Sequence, residues 1–395
     1  MFAERIFECL PRADQRRWAG AYVEGLLTTP GKKTVRNLAA AVSAAPAASQ
    51  SLHQFVNASP WDWNPVRAEL ARWTEEHSAP RAWVISQAVL RKRGEHSCGV
   101  HRRFMPATGR SVTCQVGVGL FLAAPHAAVP VDWRLLLPGS WTRDDERRLR
   151  TRIPDGTGPR SAEQHALDLV DTRVRCGRAA PLPVVADLDS TSGAGATALV
   201  RGLTQRGRDF VIAVPPAFPV MVGRHLRVQR PYGTTGPGGA DGPGGQSLVL
   251  AARGLFAFDE GTLTRMESVP APDGDGRHHA VMSSFVRLPH GPGGERDQRT
   301  YRLFALRAPG GRPPTRIWLT SLTHHRMEPL LGLTRLLGRS EDAVRTMAED
   351  IGLLDFEGRS YPGWHHHMTL VSAAYAYRRL GAWPAGASHP LPAAA

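Results

Sequence analysis

Lysine is nearly missing from this 395-residue sequence: it stands only at positions 32, 33 and 92, so arginine carries almost all of the basic charge. Cysteine is sparse too. Cys9, Cys98, Cys114 and Cys176 lie far apart with no C-x-x-C spacing, which excludes a disulfide framework or a zinc knuckle and points to a reducing cytosol. Long hydrophobic runs are absent. The longest apolar stretch, 116–131, is broken by Pro125 and His126 and falls short of the roughly 20 residues of a bilayer span. The opening residues MFAERIFECLPRADQRR place Glu4 and Glu8 where a secretory signal needs an apolar core. These absences predict a soluble, cytoplasmic protein without a membrane partner.

Positive charge is what the sequence has in surplus. Lys and Arg number 49 against 35 Asp and Glu, a formal net charge of +14. The planar guanidinium suits bidentate contact with phosphate, so the surplus predicts nucleic acid or another polyanion as partner. A GC-rich coding sequence would account for arginine in place of lysine, but not for the net charge. The length favours two or three packed units.

Apolar residues recur at helical spacing through residues 1–78: Ile6 and Leu10, then Trp18, Tyr22 and Leu26, then Leu38 and Val42, then Leu52, Phe55 and Val56. Breakers at Pro30-Gly31 and Ser59-Pro60 predict three or four helices. Their outer faces carry Arg16, Arg17, Lys32, Lys33 and Arg36, which reads as a helical DNA-contacting module or as a solvated charged face. From Arg81 the period changes, with strands predicted over 82–85, 111–123 and 131–137 as an antiparallel meander. A helix over 161–175, a strand over 181–187 ending in Asp187, a helix over 194–206 and a strand over 209–214 follow. The order βββαβαβ predicts an α/β fold, a mixed sheet with helices on its faces.

Residues 217–315 are irregular, with Gly/Pro-rich stretches at 233–245 and 290–295. The first lacks the lysine and the strand context of a phosphate loop and reads as a flexible excursion. Strand-like runs at 279–288 and 301–306 predict a β-rich insertion, and helical periodicity returns over 328–351 and 366–380. The expected divisions are an N-terminal helical DNA-binding domain (1–78), the first part of a core (79–216), the insertion (217–320), C-terminal helices completing the core (321–382) and a disordered tail (383–395).

A mixed sheet of this order, a carboxylate closing a central strand and a late helix carrying Glu341 describe an RNase H-like core. In such a core, acids from separate elements hold two divalent ions for attack on a phosphodiester. Several runs carry a closer likeness: GLLTTPGKKTVRNLA, SLHQFVNASPWDW, TCQVGVGLFLA, PVDWRLLLPGSWT, PLPVVAD and GLLDFEGRSYPGWHHHMTL. Across residues 18–380 the chain resembles the IS701-type transposases, a branch of the DDE (RNase H-like) superfamily. That resemblance implies a first catalytic aspartate directly after the WVI strand, a second in the VVAD strand and a glutamate on a late helix. Position by position these fall on Ser86, Asp187 and Glu341, with Asp189 as a rival to Asp187.

The family usually reads Asp-Asp-Thr-Gly-Phe-Pro-Lys-Lys-Gly where this chain has Ser86-Gln-Ala-Val-Leu-Arg-Lys-Arg-Gly94, so the acids are gone and the basic residues remain. Its arginine-tryptophan pair before the glutamate and its lysine after it are here Leu337, Gly338 and Ala348. The resemblance implies Mg2+ or Mn2+ at Asp187 and Glu341 in an active protein, and double-stranded DNA gripped by Lys32, Lys33, Arg36, Arg91, Lys92 and Arg93. It also leaves room for a homodimer associated with the nucleoid.

Three readings stay open: a DNA-binding transposase-type protein with lost or impaired strand cleavage, a working enzyme with a substitute acid, and a scaffold reused for small-molecule chemistry. The run His365-His366-His367 does not predict a metal site, because adjacent helical residues diverge by about 100°. The resemblance places Trp364 and His367 on a helix beside the active face. His324-His325 reads as a solvated turn. Cys98 has no base or orienter beside it in the sequence and reads as a structural thiol.

Overall fold

The computed structural model describes residues 2–105, 108–176, 181–188, 193–222, 248–256, 264–270, 278–289, 299–307, 314 and 316–381. They fall into two compact units, Met1–Ala180 with Leu336–Ala395, and Pro181–Arg335. The Gly/Pro stretches at 233–245 and 290–295 and the tail 383–395 lie outside the described residues.

The first unit opens with α1 (Phe2–Phe7), α2 (Ala13–Thr28), α3 (Val35–Val42), α4 (Ala48–Asn57) and α5 (Trp63–Ser78). There are five helices here and not three or four, because Pro11 separates α1 from α2 and cannot continue a helix. Side-chain caps set two of the starts. Thr34 accepts from Asn37 N and Asp62 from Asn64 N, each satisfying a donor that the first turn leaves without a helical partner.

Strands β1 (Ala82–Arg91), β2 (His101–Met105), β3 (Arg110–Ala124) and β4 (Ala127–Leu135) follow, then α6 (Gly139–Thr142), α7 (Asp145–Thr151) and α8 (Ala162–Cys176). β1 does not stop at Ile85. It pairs with β3 in unbroken antiparallel register from Ala82↔Ala123 to Arg91↔Cys114, and the long β-branched partner carries it through the polar Ser86-Gln87 step. The far edge of β3 takes β2 along its first residues and β4 along the rest. β4 begins earlier than expected. Pro130 is tolerated within it because β4 pairs only with β3 among the described strands and the register shifts beside it, between Leu120 and Phe121. The 101–105 strand was not expected at all, since its basic, alternating residues carry no apolar run.

In the second unit β5 (Val184–Asp187), α9 (Gly193–Gln205) and β6 (Phe210–Val214) form a parallel crossover unit. Val184, Val185 and Ala186 are wholly buried, as suits a strand covered on both faces. β7 (Pro219–Val222) pairs with β8 (Leu248–Ala251), which leads into α10 (Ala252–Leu255). β9 (Arg265–Pro270), β10 (His278–Val286), β11 (Tyr301–Leu306) and β12 (Ile317–Thr320) then form an antiparallel series in which β12 pairs with β6. Parallel and antiparallel pairs in one sheet, with helices packed on it, give the mixed α/β architecture of an RNase H-like fold.

The unit boundary falls inside α11 (Met327–Asp350), and α12 (Tyr361–Leu380) returns to the first unit. Ser360 caps α12 by accepting from Gly363 N, and the helix is buried from Gly363 to Ala376. One arginine ties it to the rest of the unit. Arg67 of α5 is 4% exposed and donates to Asp132 at 2.8 Å, to Trp133 O at 2.9 Å, to Thr369 Oγ1 at 2.8 Å and to His365 O at 3.0 Å. Burial lowers its pKa to about 10 and Asp132 opposes that shift, so the guanidinium stays charged at neutral pH. No helix among the described residues is long and apolar enough to cross a membrane.

Candidate active site

The register of β1 fixes where Ser86 lies. Residues opposite each other in an antiparallel ladder point to one face, so Ser86, its partner Gly119 and that residue's partner Trp133 form a row across the sheet. α12 covers this face: Trp133 Nε1 donates to Ser372 Oγ at 2.9 Å, and a Cβ on Gly117 would stand 3.2 Å from the Trp364 ring. The row is tight. A Cβ on Gly119 would come within 2.6 Å of Trp133, so the indole packs directly on bare backbone. Ser86 is 7% exposed and offers a neutral hydroxyl.

Glu341, in the same unit, sits exposed in the middle of α11 and not in a first turn, where the helix dipole alone would favour it. Its neighbour Ser340 is buried and donates to Leu337 O at 2.8 Å. Leu337 is core, whereas a side chain at Gly338 would meet open space.

Asp187 closes β5 in the second unit, with its side chain 17% exposed and Oδ2 3.2 Å from Arg316 Nε. Arg316 directly precedes β12. Nothing local in the sequence marks this partner, because the two strands are far apart along the chain. Asp189 lies outside the described residues.

Among the described residues no three His, Cys, Asp or Glu side chains are grouped as a metal ion would require. Ser86, a neutral hydroxyl, and Asp187, a carboxylate already paired with a guanidinium, are each poor ligands for a pair of dications, which need anionic oxygens around them.

The six basic positions split. Arg36, Arg91 and Arg93 are exposed. Lys32 is exposed too, with its Nζ 3.6 Å from Glu357. Lys33 is buried, its Nζ donating to Thr29 O and its backbone N to Asp355 Oδ2 at 2.8 Å. Lys92 turns inward, donating to Phe356 O at 2.9 Å with its Nζ over the Phe356 ring. Burial lowers its pKa to about 8. Both lysines therefore brace the segment between α11 and α12.

The three adjacent histidines leave α12 in different directions, and all are buried. His365 stacks on Trp63 at 4.5 Å, His366 stacks on Trp61 at 3.9 Å, and His367 Nδ1 meets Tyr22 Oη at 3.0 Å. Burial drives all three pKa values down, His366 to about 4, His367 to about 3 and His365 well below its ordinary value. They are neutral core residues. His324 and His325 lie exposed in a turn, and Cys98 is buried with its thiol pushed up to about 12.

Among known families, the sequence model described as DDE superfamily endonuclease matches residues 5–244, a span that includes Ser86 and Asp187 and stops before Glu341. No curated protein matches the chain. Members of this superfamily are nucleases that work with divalent metals on DNA. Since the match covers more than half of the chain and the mixed α/β sheet agrees with it, this protein belongs to the DDE superfamily endonuclease family.

Proposed function

We propose that this chain is an IS701-type member of the superfamily that binds double-stranded DNA, and that its metal-dependent strand cleavage is lost or severely weakened. One observation carries the reading: Ser86, where the resemblance puts the first aspartate, is nearly buried in mid-strand and paired opposite Gly119. A neutral hydroxyl there cannot supply the negative charge that keeps two dications close together.

The acids nearest in sequence are poor substitutes. Glu75 bonds to Arg173, and Glu76 bonds to Arg5 through both oxygens at 2.6 and 2.7 Å. Glu95 lies beyond the end of β1 and is exposed. The DNA-binding part of the reading rests on the arginine-rich +14 charge and on the family. A soluble, nucleoid-associated protein with no membrane contact follows from it.

The test uses the full chain with duplex DNA carrying candidate element ends. Retained, salt-sensitive binding without nicking in Mg2+ or Mn2+ is expected. Ser86→Asp is the gain-of-function arm, with Ser86→Asp/Asp187→Ala as its control. Metal-dependent nicking by the unaltered protein, abolished by Asp187→Ala, would overturn the proposal.

A further inference from the structure

On the first unit, α11, α12 and the β3–β4 turn enclose an open concavity of about 280 Å³ lined by His126, Arg339, Asp342, Tyr375, Arg378 and Arg379. On α11, residues 339 and 342 are one turn apart and share a face, as do 375, 378 and 379 on α12. Three guanidinium groups therefore converge on one hollow.

How they are held matters more than their number. Arg339 Nε donates to Pro125 O at 2.9 Å and one Arg379 nitrogen donates to His126 O at 2.6 Å. Neutral carbonyls of a single turn thus anchor both side chains, and among the described residues a carboxylate approaches only one of them, Arg339. Arg378 is held by Asp350 at 3.0 Å. The acid within the hollow, Asp342, is bonded to Arg345 and lies 4.0 Å from Arg339. Like charges gathered this way repel, and an anion between them relieves the repulsion with charge-assisted hydrogen bonds. Each anchored guanidinium keeps most of its five donors for such a ligand.

We infer that this hollow is a clamp for the phosphodiester backbone of duplex DNA, gripping a flanking phosphate and not the one at the cleavage position. The inference rests on the DNA-binding reading above. DNA is the occupant that fits the superfamily and the net charge of the chain. Successive helical residues turn by about 100°, so Glu341 leaves α11 on the side opposite Arg339. A phosphate in the hollow is therefore presented away from the carboxylate.

The experiment measures affinity of the full chain for a fluorescent duplex across a KCl series, for the unaltered protein and for Arg339→Gln/Arg378→Gln/Arg379→Gln. Each lost phosphate contact lowers the slope of log K against log salt by about 0.9. The triple variant is expected to show a slope shallower by about 1 to 2 and a several-fold weaker affinity at low salt. Matched replacement of exposed arginines elsewhere (Arg143→Gln/Arg150→Gln/Arg175→Gln) should change the slope less, and circular dichroism should show both variants folded.

Should the triple variant not fold, Arg378→Lys/Arg379→Lys retains charge without the planar fork and is expected to weaken binding while largely keeping the slope. Unchanged affinity and slope in a folded variant overturn the clamp while leaving DNA binding intact. Absence of duplex binding by the unaltered protein overturns both readings. Inorganic phosphate that competes beyond its ionic strength against the unaltered protein alone would assign the hollow to a free anion instead.

Discussion

Strands β1 and β5 carry Ser86 and Asp187, the two positions where the proposed reading places acids, and they treat charge in opposite ways. At the end of β5 the carboxylate of Asp187 survives, partly exposed and matched by Arg316 at 3.2 Å. In the middle of β1 the position is nearly buried, in a row with Gly119 and an indole, and it holds a hydroxyl. An acid at a strand end can be stabilised by water and one arginine. An acid inside a packed row would depend on a bound cation, whereas the serine hydroxyl imposes no such electrostatic burden.

The strongest way to break this comparison is Ser86→Asp. An uncompensated charge at so buried a place costs about 3 kcal/mol, so urea unfolding in chelator should show a loss of that order, with recovery in millimolar Mn2+. If stability is unchanged in chelator, the row is wetter than its 7% exposure indicates.

Acid should separate the two units. The unfolded chain protonates His365, His366 and His367 near 6.5, while in the folded chain burial holds His366 down to about 4, His367 to about 3 and His365 well below its ordinary value. Between those values the unfolded state binds more protons, so stability falls as pH falls, by up to about 1.4 kcal/mol per pH unit for each group. The described histidines of the second unit that lie in the 324–325 turn are exposed. Hydrogen exchange at pH 6.5 and pH 4.5 should therefore show the first unit losing protection over that interval, and simultaneous loss in both would undo the distinction.

The basic run after β1 sharpens the point on a smaller scale. Lys92→Ala should destabilise by about 1–2 kcal/mol, since it leaves Phe356 O without its donor. Arg91→Ala and Arg93→Ala should stay within about 0.5 kcal/mol and instead weaken DNA binding at low salt. Asp187→Asn is expected to change stability by less than about 1 kcal/mol because its arginine partner is half exposed. Thermal melts in chelator check it.

The sequence announced the order of the main strands and helices, and it marked Ser86 as anomalous. Hydrophobic periodicity and turn residues are local signals, and they suffice for such elements. Strand ends were less legible. β1 runs past Ile85 because β3 pairs with it, a long-range fact. Charge misled most at Lys33 and Lys92, since a sequence shows an ammonium group but not where its four-carbon stem lays it down. The histidine run was legible only as unsuited to one ion. That each ring would become core depended on Trp61, Trp63 and Tyr22, which come from another part of the chain.

Arg67 has a consequence for how this protein can be dissected. Its one guanidinium joins a helix from the amino-terminal stretch to a strand and to the penultimate part of the chain. Cutting after Ser78 would strand a cation on one fragment and Asp132 on the other. Attempts to excise the leading helices as a self-standing reader of DNA should yield insoluble pieces, because Arg67 on α5 bonds to β4 and α12 beyond the cut.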